Sequence, residues 1–162
     1  MNAKIHVRFG LIFAAIDILL FVVFYSVDHQ LESFFFLAAV AALLIAAVVI
    51  SCFKYTKVTS DSPTVGNIFS NGFRTAVVVA IVFGTVAVLL IKTVPGYKQK
   101  VVAEARAGAL KAEPTLTEKD LKQNDEAVEQ SLVPRALAGI VFPHLILGAM
   151  TAGITALALK KQ

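Results

Sequence analysis

Nineteen consecutive residues, Phe9 to Val27, contain one charged side chain, Asp17. As a helix the run reaches roughly 28 Å, close to the thickness of a bilayer's hydrocarbon. A cleaved signal peptide is the competing reading, with Lys4 and Arg8 as its basic region. The run is longer than the usual apolar stretch of about 7–15 residues, and Phe24, Tyr25 and Val27 are bulky where a cleavage site needs small side chains. The expectation is therefore an uncleaved first span, which fixes the direction of everything after it.

Three further apolar runs follow. A polar connection of six residues, Asp28 to Ser33, is short enough to bring the second run back beside the first as an antiparallel pair. The second run is Phe34 to Phe53. Its Ala38, Ala42 and Ala46 recur every fourth residue and mark a smooth contact face, since helices in lipid associate through close packing of small residues. Lys54 to Gly72 returns to water, with a turn at Ser60 to Pro63. In it Gly66 to Phe73 reads as a segment lying at the interface, with Ile68, Phe69 and Phe73 dipping into the acyl boundary, or as an ordinary loop. The third run, Phe73 to Val94, has Arg74 and Lys92 near opposite ends, placed to extend their charges to the headgroups. Pro95-Gly96 ends it. The fourth run, Ala136 to Leu159, contains Pro143 and His144, and Gly148, Ala152 and Gly153 give it a second face of small residues.

Residues 95–135 form the one sizeable polar stretch. Lys98 to Ala112 is helical in pattern, with Val101, Ala105, Ala109 and Ala112 along one side, and Glu113-Pro114 breaks it. Thr117 with Asp120 makes a capping box for a second helix that runs to about Leu132, with Leu121, Val128 and Leu132 on one face. Seven basic and seven acidic side chains balance across this hairpin, which argues against a phosphate-binding patch and so against nucleic acid as a partner.

Composition agrees with this reading. The chain of 162 residues is 57% hydrophobic and 16% charged, where a soluble domain carries about 25% charge. The net charge of +4 sits beside the apolar runs, where it sets topology. A single cysteine, Cys52, leaves no internal disulfide and no CxxC motif. The expected architecture is all-α: one integral membrane domain of four transmembrane helices, about 9–27, 34–53, 73–94 and 136–159. Lys4, Arg8, Lys54, Lys57, Arg74, Lys160 and Lys161 fall on one side, against Asp61 alone, while the first connection has only Asp28 and Glu32. This asymmetry places both termini in the cytoplasm and the hairpin outside.

GNIFSNGF leading into the third span, Pro95-Gly96-Tyr97 leaving it, the TLTEKDLKQNDEAVEQ helix, Pro134 before the last span and the closing Lys-Lys together resemble an uncharacterised family of bacterial four-span membrane proteins, domain of unknown function four-one-nine-nine. The likeness covers nearly the whole chain, although the hairpin is richer in alanine than the family's methionine-rich version. The resemblance implies a bacterial cytoplasmic (inner) membrane and, through neighbouring membrane glycosyltransferase genes, a link to lipid-linked sugars. It brings no catalytic residue and no cofactor.

Asp17 is the most informative residue. A carboxylate at the bilayer centre costs about 2.5–3.5 kcal/mol, so it should face the bundle interior. His144 is its natural partner: measured from the outer ends of their spans, the depths of the two differ by roughly 3 Å. A polar clasp between the first and fourth helices and a proton or ion relay are both open to such a pair. Pro143 should kink the fourth span and free a carbonyl near His144. No Walker motif, HExxH or nucleophile elbow is present, so neither an enzyme nor a metal or cofactor site is expected. The expected function is a non-catalytic accessory or assembly subunit, in the bilayer with another membrane protein or with itself. The alternative is a small transporter, flippase-like or channel component acting as an oligomer on a lipid-linked sugar.

Overall fold

The computed structural model describes residues 4–26, 34–59 and 63–160, and among them every regular element is a helix: α1 Ile5–Ser26, α2 Phe34–Val58, α3 Val65–Thr93, α4 Tyr97–Ala112 and α5 Glu118–Lys160. Four of these, α1, α2, α3 and α5, are long and apolar enough to cross a membrane. In lipid the backbone finds no outside partners, so each crossing segment closes its hydrogen bonds within its own helix. The connection at Asp28 to Ser33, the turn residues Ser60 to Ser62, and Lys161 lie outside the described residues.

The helix boundaries correct the sequence reading in three places. First, α2 runs on to Val58, a turn past Phe53, carrying Lys54 and Lys57 with it. The Lys57 ammonium lies 4.8 Å from the centre of the Phe53 ring, so the stem stays on apolar surface. Second, Gly66 to Phe73 is not a loop or a separate segment: it forms the first turns of α3. Thr64 starts that helix, its hydroxyl accepting the Asn67 N–H at 3.2 Å and its carbonyl accepting the Ile68 N–H at 3.1 Å. Asn71 of this stretch finds its partner inside, on Ser51, and Ile68 is buried, while Asn67 stays exposed. Third, the polar helix and the fourth span form one helix of 43 residues, and neither Pro134 nor Pro143 ends it. Each proline removes one N–H, and both rings sit on the exposed surface.

The chain divides into two compact units, Met1–Thr85 with Ile140–Gln162, and Val86–Gly139. In the first, α3 is the helix against which the others pack. The core joins Ala14 of α1, Leu44, Val48 and Cys52 of α2, Ile68, Ala76 and Val79 of α3, and Ala152 and Ala156 of α5. Glycines set the close approaches. A Cβ on Gly10 would lie 2.6 Å from Val78 of α3, and one on Gly72 would lie 2.6 Å from the Cys52 sulfur and 2.9 Å from Ala152. A Cβ on Gly148 would overlap Ala76. Gly148 and Ala152 are therefore packing residues, as their spacing suggests. An added Cβ on Gly153 would meet nothing within 4 Å among the described residues. The Ala38, Ala42 and Ala46 strip is not the face by which α2 meets its own chain. Ala38 and Ala42 are exposed and Ala46 is half-buried, while Phe36, Val40, Leu44, Ala47, Val48, Ser51 and Cys52 turn inward. Larger side chains won this contact because α2 meets α3 through Gly72, and the small partner is on the other helix.

In the second unit, α4 and the first part of α5 form an antiparallel hairpin. Gly96 makes the turn into α4 at φ 82°, a backbone that side-chain-bearing residues avoid. Leu121, Val128 and Leu132 are buried, and Val101, Ala105 and Ala109 are half-buried, as their periodicity suggests, while Ala112 is exposed. Lys98 pairs with Glu129 at 3.1 Å, and Arg106 holds Glu118 at 2.7 Å and Asp125 at 3.1 Å. These two carboxylates raise the Arg106 guanidinium above its ordinary range, the Glu118 hydrogen bond first. The capping box forms: Asp120 accepts the Thr117 N–H at 3.1 Å and its hydroxyl at 2.6 Å, and the Asp120 N–H returns to the Thr117 oxygen at 3.3 Å.

Candidate functional site: polar groups inside the bundle

Helical periodicity alone turns Asp17 inward. The buried residues of α1 are Gly10, Ala14, Asp17 and Phe21, spaced by four, three and four. One stripe of the helix faces the bundle, and the acid stands on it. Asp17 is 0% exposed, and neither carboxylate oxygen has a hydrogen-bond partner. One turn further, Phe21 meets Phe36 of α2 edge-on with ring centres 6.3 Å apart, and Phe83 of α3 at 6.2 Å.

His144 stands on the inner stripe of α5 with Gly148, Ala152 and Ala156, and is 7% exposed. Its Nδ1 lies 2.6 Å from the carbonyl oxygen of Ile140, one turn back on the same helix. This is one residue beyond Gly139, the carbonyl that Pro143 leaves without its usual N–H. A carbonyl only accepts, so Nδ1 carries the proton and donates it. Nε2 is buried without a partner. The other face of the ring's neighbourhood is aromatic, with Phe83 at 5.9 Å between centres. The structure thus buries both residues singled out from the sequence, and Phe83 touches the imidazole and, on its other contact, Phe21. It does not join Asp17 to His144 by a hydrogen bond: the expected clasp is absent from this arrangement, with Nδ1 turned along its own helix and Nε2 and both Asp17 oxygens left without a partner.

A second polar group went unnoticed in the sequence. Ser51 of α2 and Asn71 and Thr75 of α3 are buried together. Asn71 donates through Nδ2 to the Ser51 carbonyl at 3.2 Å and to its hydroxyl at 2.9 Å. The Thr75 hydroxyl lies 3.0 Å from the Asn71 carbonyl and 2.8 Å from the Ser51 hydroxyl. Its single proton goes to the carbonyl, so Ser51 donates to Thr75, and the bonds close into a ring from Asn71 to Ser51 to Thr75 and back. The Cys52 thiol donates to the Ile68 carbonyl at 3.5 Å beside this ring. The signal that would have found it is the spacing of Asn71 and Thr75, one turn apart, on the stripe of Ile68, Val79 and Phe83. Starting the third helix at Phe73 hid that stripe.

The remaining candidates are shape or surface. Arg74 and Lys92 are both exposed; Lys92 lies at the C-terminal end of α3 as expected, whereas Arg74 stands nine residues inside the helix because α3 begins at Val65. Thr85 bonds back to the Ile81 carbonyl at 2.7 Å and is exposed; Thr151 is buried and Thr155 half-buried. Among the described residues no three His, Cys, Asp or Glu side chains converge as they would around a metal ion. On the hairpin, a cleft of about 400 Å³ is lined by Lys98, Glu126, Glu129 and Gln130.

No curated protein and no solved structure matches the chain. A family model described as "Protein of unknown function (DUF4199)" matches residues 8–161, which takes in all four spans and the hairpin between the last two. With nearly its whole length inside that match, the chain belongs to the DUF4199 family of proteins of unknown function.

Proposed function

We propose that this chain is a non-catalytic accessory or assembly subunit of a complex in the bacterial cytoplasmic membrane, with both termini in the cytoplasm and the hairpin outside. The observation that carries the reading is the outward face of α2. Ala38 and Ala42 are exposed there, while the helix meets its own chain through the opposite stripe. Small side chains on an outer face leave room for a foreign helix to approach closely, and such packing is what drives association where lipid removes the hydrophobic effect between helices. The orientation is supported by the lysines and arginines gathered on the side of Lys4, Arg8, Lys54 and Lys57.

The test is purification of the tagged protein from its native membrane in mild detergent. A second membrane protein in fixed stoichiometry is expected, and Ala38→Phe with Ala42→Phe should release it while leaving the melting of the bundle unchanged. Recovery of this chain alone, or an undiminished complex with the bulky variant, removes the reading. A second reading, a small transporter or channel component for a lipid-linked sugar, is favoured by the unpartnered Asp17 and His144. A homo-oligomer with a polar cavity reaching Asp17 selects it.

A further inference from the structure

We propose that Asp17 and His144 together hold one exchangeable proton in the apolar interior of the bundle, with Asp17 as the acid and Nε2 of His144 as its acceptor. The argument begins with donors and acceptors. Both oxygens of Asp17 and Nε2 of His144 are buried with no partner. Nδ1 already donates to Ile140, so Nε2 of the neutral ring presents a bare lone pair. An ionised Asp17 presents lone pairs only. The structure therefore buries two sets of acceptors and no donor to serve them, an arrangement that costs free energy for every unmet group. One proton removes the buried charge and pairs Nε2 with one of the two Asp17 oxygens. On Asp17 it is an O–H that donates to Nε2; transferred, it leaves a carboxylate accepting from an imidazolium N–H. Either way the pair has zero net charge, the form a hydrocarbon interior tolerates.

Position supports the pairing. Gly10 meets Val78 and the Thr75 carbonyl, and Gly148 meets Ala76, so these two glycines stand at nearly one level along α3. From there the contacts of Phe21 and His144 with Phe83 show that α1 read forward and α5 read backward rise toward the same end of α3. Asp17 is seven residues beyond Gly10 and His144 four before Gly148. Their heights differ by roughly 4–5 Å at the helical rise, within the reach of a change in side-chain rotamers. Other ionisable groups on the packed helices stand elsewhere. Cys52 of α2 lies against Gly72, below this level, and Arg74 and Lys92 of α3 are exposed. On α1, His6 and Arg8 precede Gly10 and Tyr25 follows Phe21 by a turn. Between Ala136 and Leu159 of α5, His144 is the one ionisable side chain. This inference does not rest on the accessory-subunit reading, and its test needs no partner protein.

The experiment is infrared spectroscopy and histidine nitrogen NMR on the purified full chain in lipid nanodiscs at neutral pH. A carbonyl-stretch band of a protonated carboxyl is expected, lost in Asp17→Asn and moved down on transfer to heavy water. In His144→Phe the band should shift to the position of a carboxyl without a hydrogen-bond acceptor. In the unaltered protein, His144 should show a protonated Nδ1 and a hydrogen-bonded, unprotonated Nε2, a readout that requires no variant to fold. Absence of the band, a band that ignores heavy water or His144→Phe, or an Nε2 with no hydrogen bond overturns the proposal.

Discussion

The bundle and the hairpin are both made of helices packed side by side, yet different chemistry holds each. In the bundle the contacts are made by Gly10, Gly72, Gly148, Ala76 and Ala152, with Ser51, Asn71 and Thr75 bonded between helices. In the hairpin they are made by Leu121, Val128 and Leu132, with ion pairs across the seam and a capped helix start. The contrast follows from the solvent. Water drives Leu and Val together, and it makes a surface ion pair worth little, the median being about 0–1 kcal/mol. Lipid gives apolar side chains no reason to prefer one another, so Ile154 and Met150 stay on the outside of α5. What decides the contact there is how closely two backbones can approach and which polar groups must be satisfied.

Glycine substitutions test this contrast most severely. Gly148→Leu should destabilise the bundle by about 3 kcal/mol, since Ala76 occupies the space its side chain needs. Gly153→Leu, with open space around it, should change stability by less than about 0.5 kcal/mol. Detergent-induced unfolding followed by helicity reads both, and equal costs at the two positions would refute the close-approach account. Next in size is the polar ring. Thr75→Val keeps the shape and removes the hydroxyl, leaving the Ser51 hydroxyl short of a partner while the Asn71 carbonyl keeps its helical N–H, and should cost about 1–2 kcal/mol in the same assay. If Ser51→Ala and Thr75→Val cost as much together as the sum of each alone, the two do not act as one ring.

The smallest effect belongs to the hairpin. Thr117→Ala should loosen the start of α5 by roughly 1 kcal/mol, seen as faster amide exchange in its first turn. The pH dependence has a definite sign. The Thr117 hydroxyl, and then its N–H, hold the Asp120 carboxyl below its ordinary value. The cap's contribution is therefore complete above about pH 4 and is lost as the pH falls through the lowered value. Exchange in this turn that stays flat on acidification would show that Asp120 does not cap the helix.

The spans were legible because a long apolar run in a chain so short of charge has almost nowhere to go but lipid. The cap, the break at Glu113 and the inward Leu121, Val128 and Leu132 were legible because water enforces periodicity. Asp17 was legible because one acid among eighteen uncharged residues stands out. The strip of Ala38 and Ala42 marks a contact face without naming the helix that meets it. Small residues show where a helix can come close, not which helix comes, and α2 is met by its own chain on a face of larger side chains opposite Gly72. The start of α3 was misplaced because Asn67, Ser70 and Asn71 look like water-exposed residues until Ser51 is known to face Asn71. The joining of the polar helix to the fourth span ran against Pro134, which normally marks a boundary.

The ring formed by Ser51, Asn71 and Thr75 settles a question that greasy side chains leave undecided. A spanning helix can spin about its axis and exchange one oily stripe for another at little cost. Were α3 to turn by one residue, about 100°, a hydroxyl and an amide would point into acyl chains. The ring thus acts as a dowel that picks one rotational setting for α2 against α3, and through it the azimuth from which Phe83 meets its neighbours.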